Sequence, residues 1–309
     1  MSSILHREDF SLGPISYDRI ETNLYLGGVA AATDIDTLNK LGITYILTID
    51  TCPLPRNISE LNHIKIKFIQ LADFPKEDLI SHFDDTNAFI QEALHNNKAI
   101  LVHCYFGISR SATVVLAYMM KKNQLSYTEA YNKLKSKRSL VFPNKGFVTQ
   151  LRLYKEMGYK IDPSYTKYKM FRLSVAADKV AKAKILPQNF LNLIQPDPGL
   201  VQSQPEPNVY RCKKCRRIIA SESHLILHQE KDKQIKCVNT FFVEPITWMN
   251  VAQTTQGKLH CPKCNHKVGS FSWVMGCQCP CGIQVAPAFY LVPSKVDFTN
   301  VVKNVEMTF

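Results

Sequence analysis

The 309-residue sequence predicts an α/β domain, with a central sheet flanked by helices, followed by a small cysteine-rich module. Three observations predict it. Apolar strands alternate with segments of helical period as far as about Gly158. Cys52 and Cys104 are the sole cysteines before residue 200, whereas eight others fall between Cys212 and Cys281. Between these regions, prolines 196, 198, 205 and 207 give the composition of a stiff extended linker. The reading divides the chain into 1–159, the α/β domain; 160–207, a basic helix and proline-rich linker; and 208–309, the cysteine-rich domain.

The elements follow in order. Residues 23–49 read as a short strand, a helical stretch with Leu38 and Leu41 on one face, and an apolar strand. Ile64, Ile66 and Phe68 alternate with Lys65 and Lys67, the period of a strand with one face in the core. Phe83, Phe89, Ile90 and Leu94 recur at helical spacing, and Ala99-Ile100-Leu101-Val102 reads as a buried strand. Helical patterns cover about 110–122, 127–137 and 146–157, the last entered through Pro143-Asn144. Residues 160–184 carry seven Lys or Arg against two Asp, with Tyr165, Tyr168, Phe171 and Leu173 interleaved, a basic helix leaning on a neighbour.

With 45% apolar and 21% charged residues, the chain has the composition of a folded protein and can bury a core. His6, Arg7, Glu8 and Asp9 stand where a secretory signal needs its apolar stretch, and no run approaches the roughly 18 apolar residues of a membrane span. Secretion and membrane spanning are therefore not expected. The net charge of +12 attracts phosphorylated or nucleic-acid partners without identifying them.

Residues 101–113, LVHCYFGISRSAT, hold the chemistry: an apolar strand, His103-Cys104, a five-residue turn (Tyr105, Phe106, Gly107, Ile108, Ser109), then Arg110-Ser111 opening a helix. A tight turn at a helix N-terminus aims several backbone N–H groups at one spot and adds the helix dipole, which suits a phosphate dianion. Cys104 at its base has surroundings that favour the thiolate, the attacking species. Arg110 presents a planar fork able to hold two phosphoryl oxygens, and Gly107 lets the backbone approach closely. Asp73, 31 residues before Cys104 in LADFPKEDL, is the candidate acid for the leaving oxygen, with Asp78 as its rival. Ser111 can donate its hydroxyl to the sulfur, and His103 supports the loop from behind. A lone cysteine after a strand is ordinarily a packed thiol, and Cys52 is read as one, buried and inert. At Cys104 the joint presence of His, Gly, Arg and Ser decides otherwise.

With NLYLG, LGITYILTI, SYTEAYNKLKSKR and PNKGFVTQL in the same order, residues 15–158 resemble a dual-specificity protein phosphatase of the cysteine-phosphatase superfamily. The resemblance implies that fold, with Cys104 as nucleophile, Arg110 as phosphate binder and Asp73 as general acid. It implies a shallow pocket admitting phosphoserine, phosphothreonine and phosphotyrosine. The loop interior lacks the lysines that lipid-directed relatives use, so a phosphoprotein substrate is expected. A rhodanese-type sulfur transferase, which also pairs Cys with an Arg-bearing loop, is a rival, separated by turnover of thiosulfate.

In the tail, Cys212-x-x-Cys215, His228, Cys237, Cys261-x-x-Cys264, Cys279 and Cys281 supply eight thiolate or imidazole ligands, the number that two closed tetrahedral zinc sites require. The expected pairing is Cys212, Cys215, His228 and Cys237 in one site and Cys261, Cys264, Cys279 and Cys281 in the other; a cross-braced pairing uses the same residues. Both are structural, and catalysis needs no cofactor. Cys277 is left over, and His224, His260 and His266 are spare imidazoles. YRCKKCRRII, EPITWM, GKLHCPKCNHKVGSFSW, CPCG and PAFYLVPSKVD resemble the C-terminal domain of the zinc-binding, Yvh-type (type-twelve) dual-specificity phosphatases. That resemblance implies about two zinc ions, nuclear and cytoplasmic pools, and a link to maturation of the large ribosomal subunit. Lys213, Lys214, Arg216 and Arg217 are candidates for contact with a pre-ribosomal particle or ribosomal RNA. The alternative function is a ribosome-assembly factor in which the zinc domain has the main role and catalysis is secondary.

Overall fold

Residues 99–103 are buried at every position, as expected of a strand covered on both faces. They form the middle of the first of two units into which the computed structural model divides, Met1–Asp162 and Pro163–Phe309. The structure describes residues 13–200, 206–228 and 237–301; the opening residues read against a leader, and Pro205, lie outside them.

The first unit runs β1 (Tyr17–Glu21), β2 (Leu24–Gly27), α1 (Val29–Thr33), α2 (Ile35–Lys40), β3 (Ile43–Asp50), α3 (Arg56–Ser59), β4 (Lys65–Gln70), α4 (Phe83–His95), β5 (Ala99–His103), α5 (Arg110–Asn123), α6 (Tyr127–Lys137) and α7 (Lys145–Glu156). Its sheet has the order β1-β2-β5-β3-β4, parallel except for β1. Leu101 packs with Ala31, Ala32, Leu38, Ile46 and Ile58. The pleat turns Ile100 and Val102 to the opposite face, which α4 and α5 border. Helix α5 is buried continuously from Arg110 to Met120, which makes it a central helix rather than a surface one. Asn144 caps α7, as the sequence predicts, by accepting from the Phe147 amide at 3.0 Å.

One strand differs from expectation. In β4 it is Ile69 that is buried, while Phe68 is exposed. β4 is an edge strand, and its lysines turn to α4, where Lys65 pairs with Glu92 at 2.6 Å and Lys67 with Asp85.

The second unit runs α8 (Thr166–Ala183), β6 (Asn208–Cys212), β7 (Ile218–Ser221), β8 (Phe241–Phe242), β9 (Gln256–His260), β10 (Lys267–Ser272), β11 (Cys277–Gln278), β12 (Gln284–Val285), β13 (Ala288–Leu291) and β14 (Val296–Asn300). The strands form sheets of order β8-β13-β10-β9, β14-β6-β7 and β11-β12. Trp273, fully buried, meets Phe289 edge-on at 4.7 Å. The expected separation of 160–207 as helix and linker is corrected here. Leu173, Ala176 and Val180 of α8, with Phe190, belong to the same core as Tyr210, Ile219 and Trp273. Asp197, between two of the prolines, holds Arg217 at 2.6 Å. The basic helix does lean on a neighbour, as expected, but it packs into the cysteine-rich unit's own core, and the boundary falls at Asp162/Pro163.

Candidate active site

Between β5 and α5, residues 104–109 form a cradle whose backbone is turned inside out. Each of its six carbonyl oxygens accepts a hydrogen bond from outside: Cys104 from His103 Nδ1 (3.2 Å), Tyr105 from the Val29 amide (3.0 Å), Phe106 from Arg138 (3.1 Å), Gly107 from Arg138 Nε (2.9 Å), Ile108 from the Phe142 amide (2.9 Å), and Ser109 from the Thr113 amide (2.8 Å). In a planar trans peptide the N–H points opposite to the C=O, so carbonyls drawn outward leave the amides facing inward. Cys104, 2% exposed, lies within this ring. Its sulfur accepts from the Gly107 amide at 3.3 Å and from the Ser111 hydroxyl at 3.1 Å. Gly107 has φ +71°, and a Cβ there would meet the Gly27 carbonyl oxygen at 2.4 Å, so both conformation and space require glycine.

Arg110 is fixed from behind. One terminal nitrogen donates to Asp50 Oδ1 at 2.7 Å and to the Leu71 carbonyl at 3.2 Å, and both members of the ion pair are buried. Its Nε is buried without a hydrogen-bond partner and lies 3.9 Å from Asp73 Oδ2. A buried guanidinium donor left unpaired is costly unless a ligand takes it, and an oxyanion is the group that fits.

Asp73 is brought to the same place. Its Oδ1 accepts from the Ser109 hydroxyl at 2.8 Å and the Asn144 side chain at 2.7 Å. The turn behind it is seated on Gly146, where a Cβ would overlap the Pro75 carbonyl at 1.8 Å. Asp78, the rival acid, accepts from the Ser81 hydroxyl at 2.7 Å and the Ser81 amide at 3.2 Å, a local capping arrangement. The buried His103 donates through Nδ1 to the Cys104 carbonyl and its Nε2 is hydrogen-bonded to the Thr48 hydroxyl at 2.8 Å; the ring braces the loop from behind. Cys52 is half-buried rather than buried.

Sequence reading missed Asp50, Arg138 and Asn144. Asp50 reads as a strand end, and Arg138 sits in the run KSKR, which looks like a solvated charge cluster. Instead Arg138 is buried, and beyond its bonds to Phe106 and Gly107 it reaches Asp18 at 2.8 Å and Ser16 at 3.0 Å. Arg138→Met, which keeps the stem and removes every donor, is expected to lower kcat/KM for an aryl phosphate by about 10²-fold, since small misplacements at reacting centres have effects of that size. Steady-state kinetics beside a melting curve, confirming that the variant is folded at the assay temperature, check this.

In the second unit the eight donors assemble, not in the sequential pairing expected first but in the cross-braced one. Cys212, Cys215, Cys261 and Cys264 form one group, and His228, Cys237, Cys279 and Cys281 the other. The two Cys-x-x-Cys turns that pair share one local geometry. Cys212 N–H donates to Arg217 O and Arg216 N–H to Cys212 O; Cys261 N–H donates to His266 O and Asn265 N–H to Cys261 O. Arg216 and Asn265 both have positive φ, 64° and 55°. Two matching turns face each other and complete one site, which leaves the remaining donors for the second.

Sulfur–sulfur distances of 3.5–3.7 Å, and 3.3 Å from His228 Nε2 to Cys279, are close to the edges of about 3.6–3.8 Å in a tetrahedral zinc site with these ligands. The Arg217 amide holds the Cys215 thiol down to about 7, whereas burial pushes Cys237 up to about 11 and Cys261 to about 12. Both groups could hold a metal ion. Cys277, His224, His260 and His266 stand outside both groups. Of the basic residues by the first turn, Arg216 pairs with Asp297 and Arg217 with Asp197, while Lys213 and Lys214 are exposed.

Comparison with known proteins agrees with this geometry. Residues 24–157 match the family described as dual specificity phosphatase, catalytic domain. The chain is 41% identical to dual specificity protein phosphatase MPK-4 of Drosophila melanogaster, over 99% of this chain and 94% of that protein. It is 36% identical to human dual specificity protein phosphatase 12, over 90% and 87%. It is 33% identical to the tyrosine-protein phosphatase yvh1 of Schizosaccharomyces pombe, over 90% and 83%. The chain belongs to the dual-specificity protein phosphatases, in the subfamily named for Yvh1 and the type-twelve enzymes.

Proposed function

We propose that this phosphatase works through a cysteinyl-phosphate intermediate with Cys104 as nucleophile. The observation that carries the reading is the ring of six outward carbonyls, which leaves the loop amides facing inward at the Cys104 sulfur, with Arg110 Nε unpaired at the head of the same loop. Sulfur forms a bond to phosphorus as the ester P–O bond breaks, and Asp73 gives its proton to the leaving oxygen. Arg110 and the loop amides hold the equatorial oxygens in the trigonal bipyramid. In the second step water attacks phosphorus, Asp73 takes its proton, and the S–P bond breaks while the Ser111 hydroxyl steadies the departing thiolate. Asp73→Asn is expected to slow alkyl phosphates by about 10²-fold or more and aryl phosphates far less, because good leaving groups need little protonation. The same pattern in Asp78→Asn instead would overturn the choice of acid.

Zinc is the metal whose geometry suits both Cys/His groups, held by Cys212, Cys215, Cys261 and Cys264 and by His228, Cys237, Cys279 and Cys281. When bound it supplies a cross-link and no catalytic step, since each group offers four protein ligands. The family resemblance supports a second role for this unit in large-subunit maturation, with nuclear and cytoplasmic pools. Exposed Lys213 and Lys214 are the residues best placed to meet RNA phosphates. Cys104→Ser, compared with the double variant Cys212→Ser and Cys215→Ser, separates the roles. If only the second loses sedimentation with pre-ribosomal particles, the zinc unit carries that function.

A further inference from the structure

Three exposed phenylalanines stand on the three segments that build the phosphate cradle. Phe106 (65% exposed) is in the loop itself, Phe74 (64%) follows the acid Asp73, and Phe142 (69%) precedes Pro143 and the cap Asn144. Leu140 (54%) accompanies Phe142. Singly exposed apolar residues are ordinary on any surface, but an apolar cluster around a polar site marks contact with a partner.

The backbone that carries these side chains is held in place. Phe142 donates its amide to Ile108 O at 2.9 Å, so its backbone is tied to the cradle. Val141, between Leu140 and Phe142, is fully buried, and its carbonyl accepts from Tyr131 and Lys135, each at 3.2 Å. Phe74 lies between Asp73, anchored to Ser109 and Asn144, and Pro75, seated on Gly146. The Phe106 ring meets Tyr105 edge-on at 4.6 Å. A backbone fixed at the mouth of a site presents its side chains there before binding, which lowers the ordering cost of contact.

Resting on the phosphatase reading above, we propose that Phe74, Phe106, Phe142 and Leu140 form an apolar collar that selects phosphopeptide segments in which large apolar side chains flank the phosphorylated residue. The cradle takes the phosphate, and the collar takes the neighbours on either side. Such a sequence is buried in most folded proteins. The substrate is therefore a segment not yet packed, or a tail, that presents apolar residues beside its phosphate.

The experiment compares kcat/KM on two phosphothreonine peptides, one with Leu at the two flanking positions and one with Ser, for the wild type, Phe142→Ser and Leu140→Ser. The wild type is expected to favour the Leu-flanked peptide by about tenfold, and Phe142→Ser to remove most of that preference through KM, the scale of an interface aromatic. Leu140→Ser should leave the Ser-flanked peptide and the melting temperature nearly unchanged, since that side chain is exposed and makes no bond to the cradle; Phe142→Ser is read by the ratio of the two peptides. Equal turnover of both peptides by the wild type, or equal loss on both in the variants, would overturn the collar. If the collar served instead the ring of phosphotyrosine, phosphotyrosine peptides would be lost in Phe142→Ser whatever their flanks, and the proposal would be wrong. Failure to hydrolyse either peptide or an aryl phosphate would remove the cysteinyl-phosphate reading on which the collar rests.

Discussion

Cys104→Ser is expected to lose phosphate release by on the order of 10⁴-fold or more, the scale seen when a covalent nucleophile is removed. A neutral hydroxyl would replace the sulfur, and the groups within reach of it are donors, the Gly107 amide and the Ser111 hydroxyl, so none can take its proton. The rest of the cradle is untouched, because the loop carbonyls are tied by residues other than Cys104 and Arg110 is fixed by Asp50 and Leu71. The variant should therefore still bind a phosphopeptide with an affinity near that of the wild type. Initial rates with an aryl phosphate, together with calorimetric titration of a phosphopeptide, check both halves. Hydrolysis within tenfold of the wild type would reject sulfur as nucleophile; lost binding would show that sulfur also supports the cradle.

Metal removal should strike the other unit. Structural zinc contributes about 10–16 kcal/mol to the folding of small metal-dependent peptides, as much as or more than the whole stability of an ordinary domain at about 5–15 kcal/mol. Chelation is thus expected to unfold Pro163–Phe309 while Cys104, Arg110, Asp73 and Asp50 keep their places in the first unit. The chain has two tryptophans, Trp248 and Trp273, and both lie in the second unit, so their fluorescence reports that unit alone. The expected result is a cooperative change in tryptophan emission, release of about two zinc ions per chain, and phosphate release within about twofold of the untreated rate. Parallel loss of emission and activity would contradict the independence of the two chemistries. Acid should act in the same direction as a chelator, because protons compete with metal for the thiolates.

What the sequence made legible follows from how far each signal reaches. Strand, turn and helix at 99–123 are local, and Cys104, Gly107 and Arg110 announce themselves by spacing. Asp50 and Arg138 do not, since each acts through partners 60 and 31 residues away, Arg110 and the Gly107 carbonyl, and pairing at that range leaves no periodicity. Asn144 was legible as a helix cap, and its second bond, to Asp73, was not. The identity of the eight metal donors was readable because thiol pairs at that spacing have few other uses. Their partition was not, because donor chemistry is alike in every pairing and only the fold decides which turn meets which. Helix α8 was legible as a helix leaning on a neighbour, but which neighbour was not: Leu173, Ala176 and Val180 pack with Tyr210, Ile219 and Trp273, partners 30 or more residues on, and no local pattern marks them.

The crossed partition of donors also sets an order of assembly in time. The first group waits from Cys212 until Cys264 has been made, and the second from His228 until Cys281, with the two intervals overlapping. Neither knot can be tied as a free-standing finger on a growing chain. A stop codon anywhere from 265 to 280 would yield a polypeptide with one finished clasp and one left open, and a cut between Cys237 and Cys261 would spoil both at once.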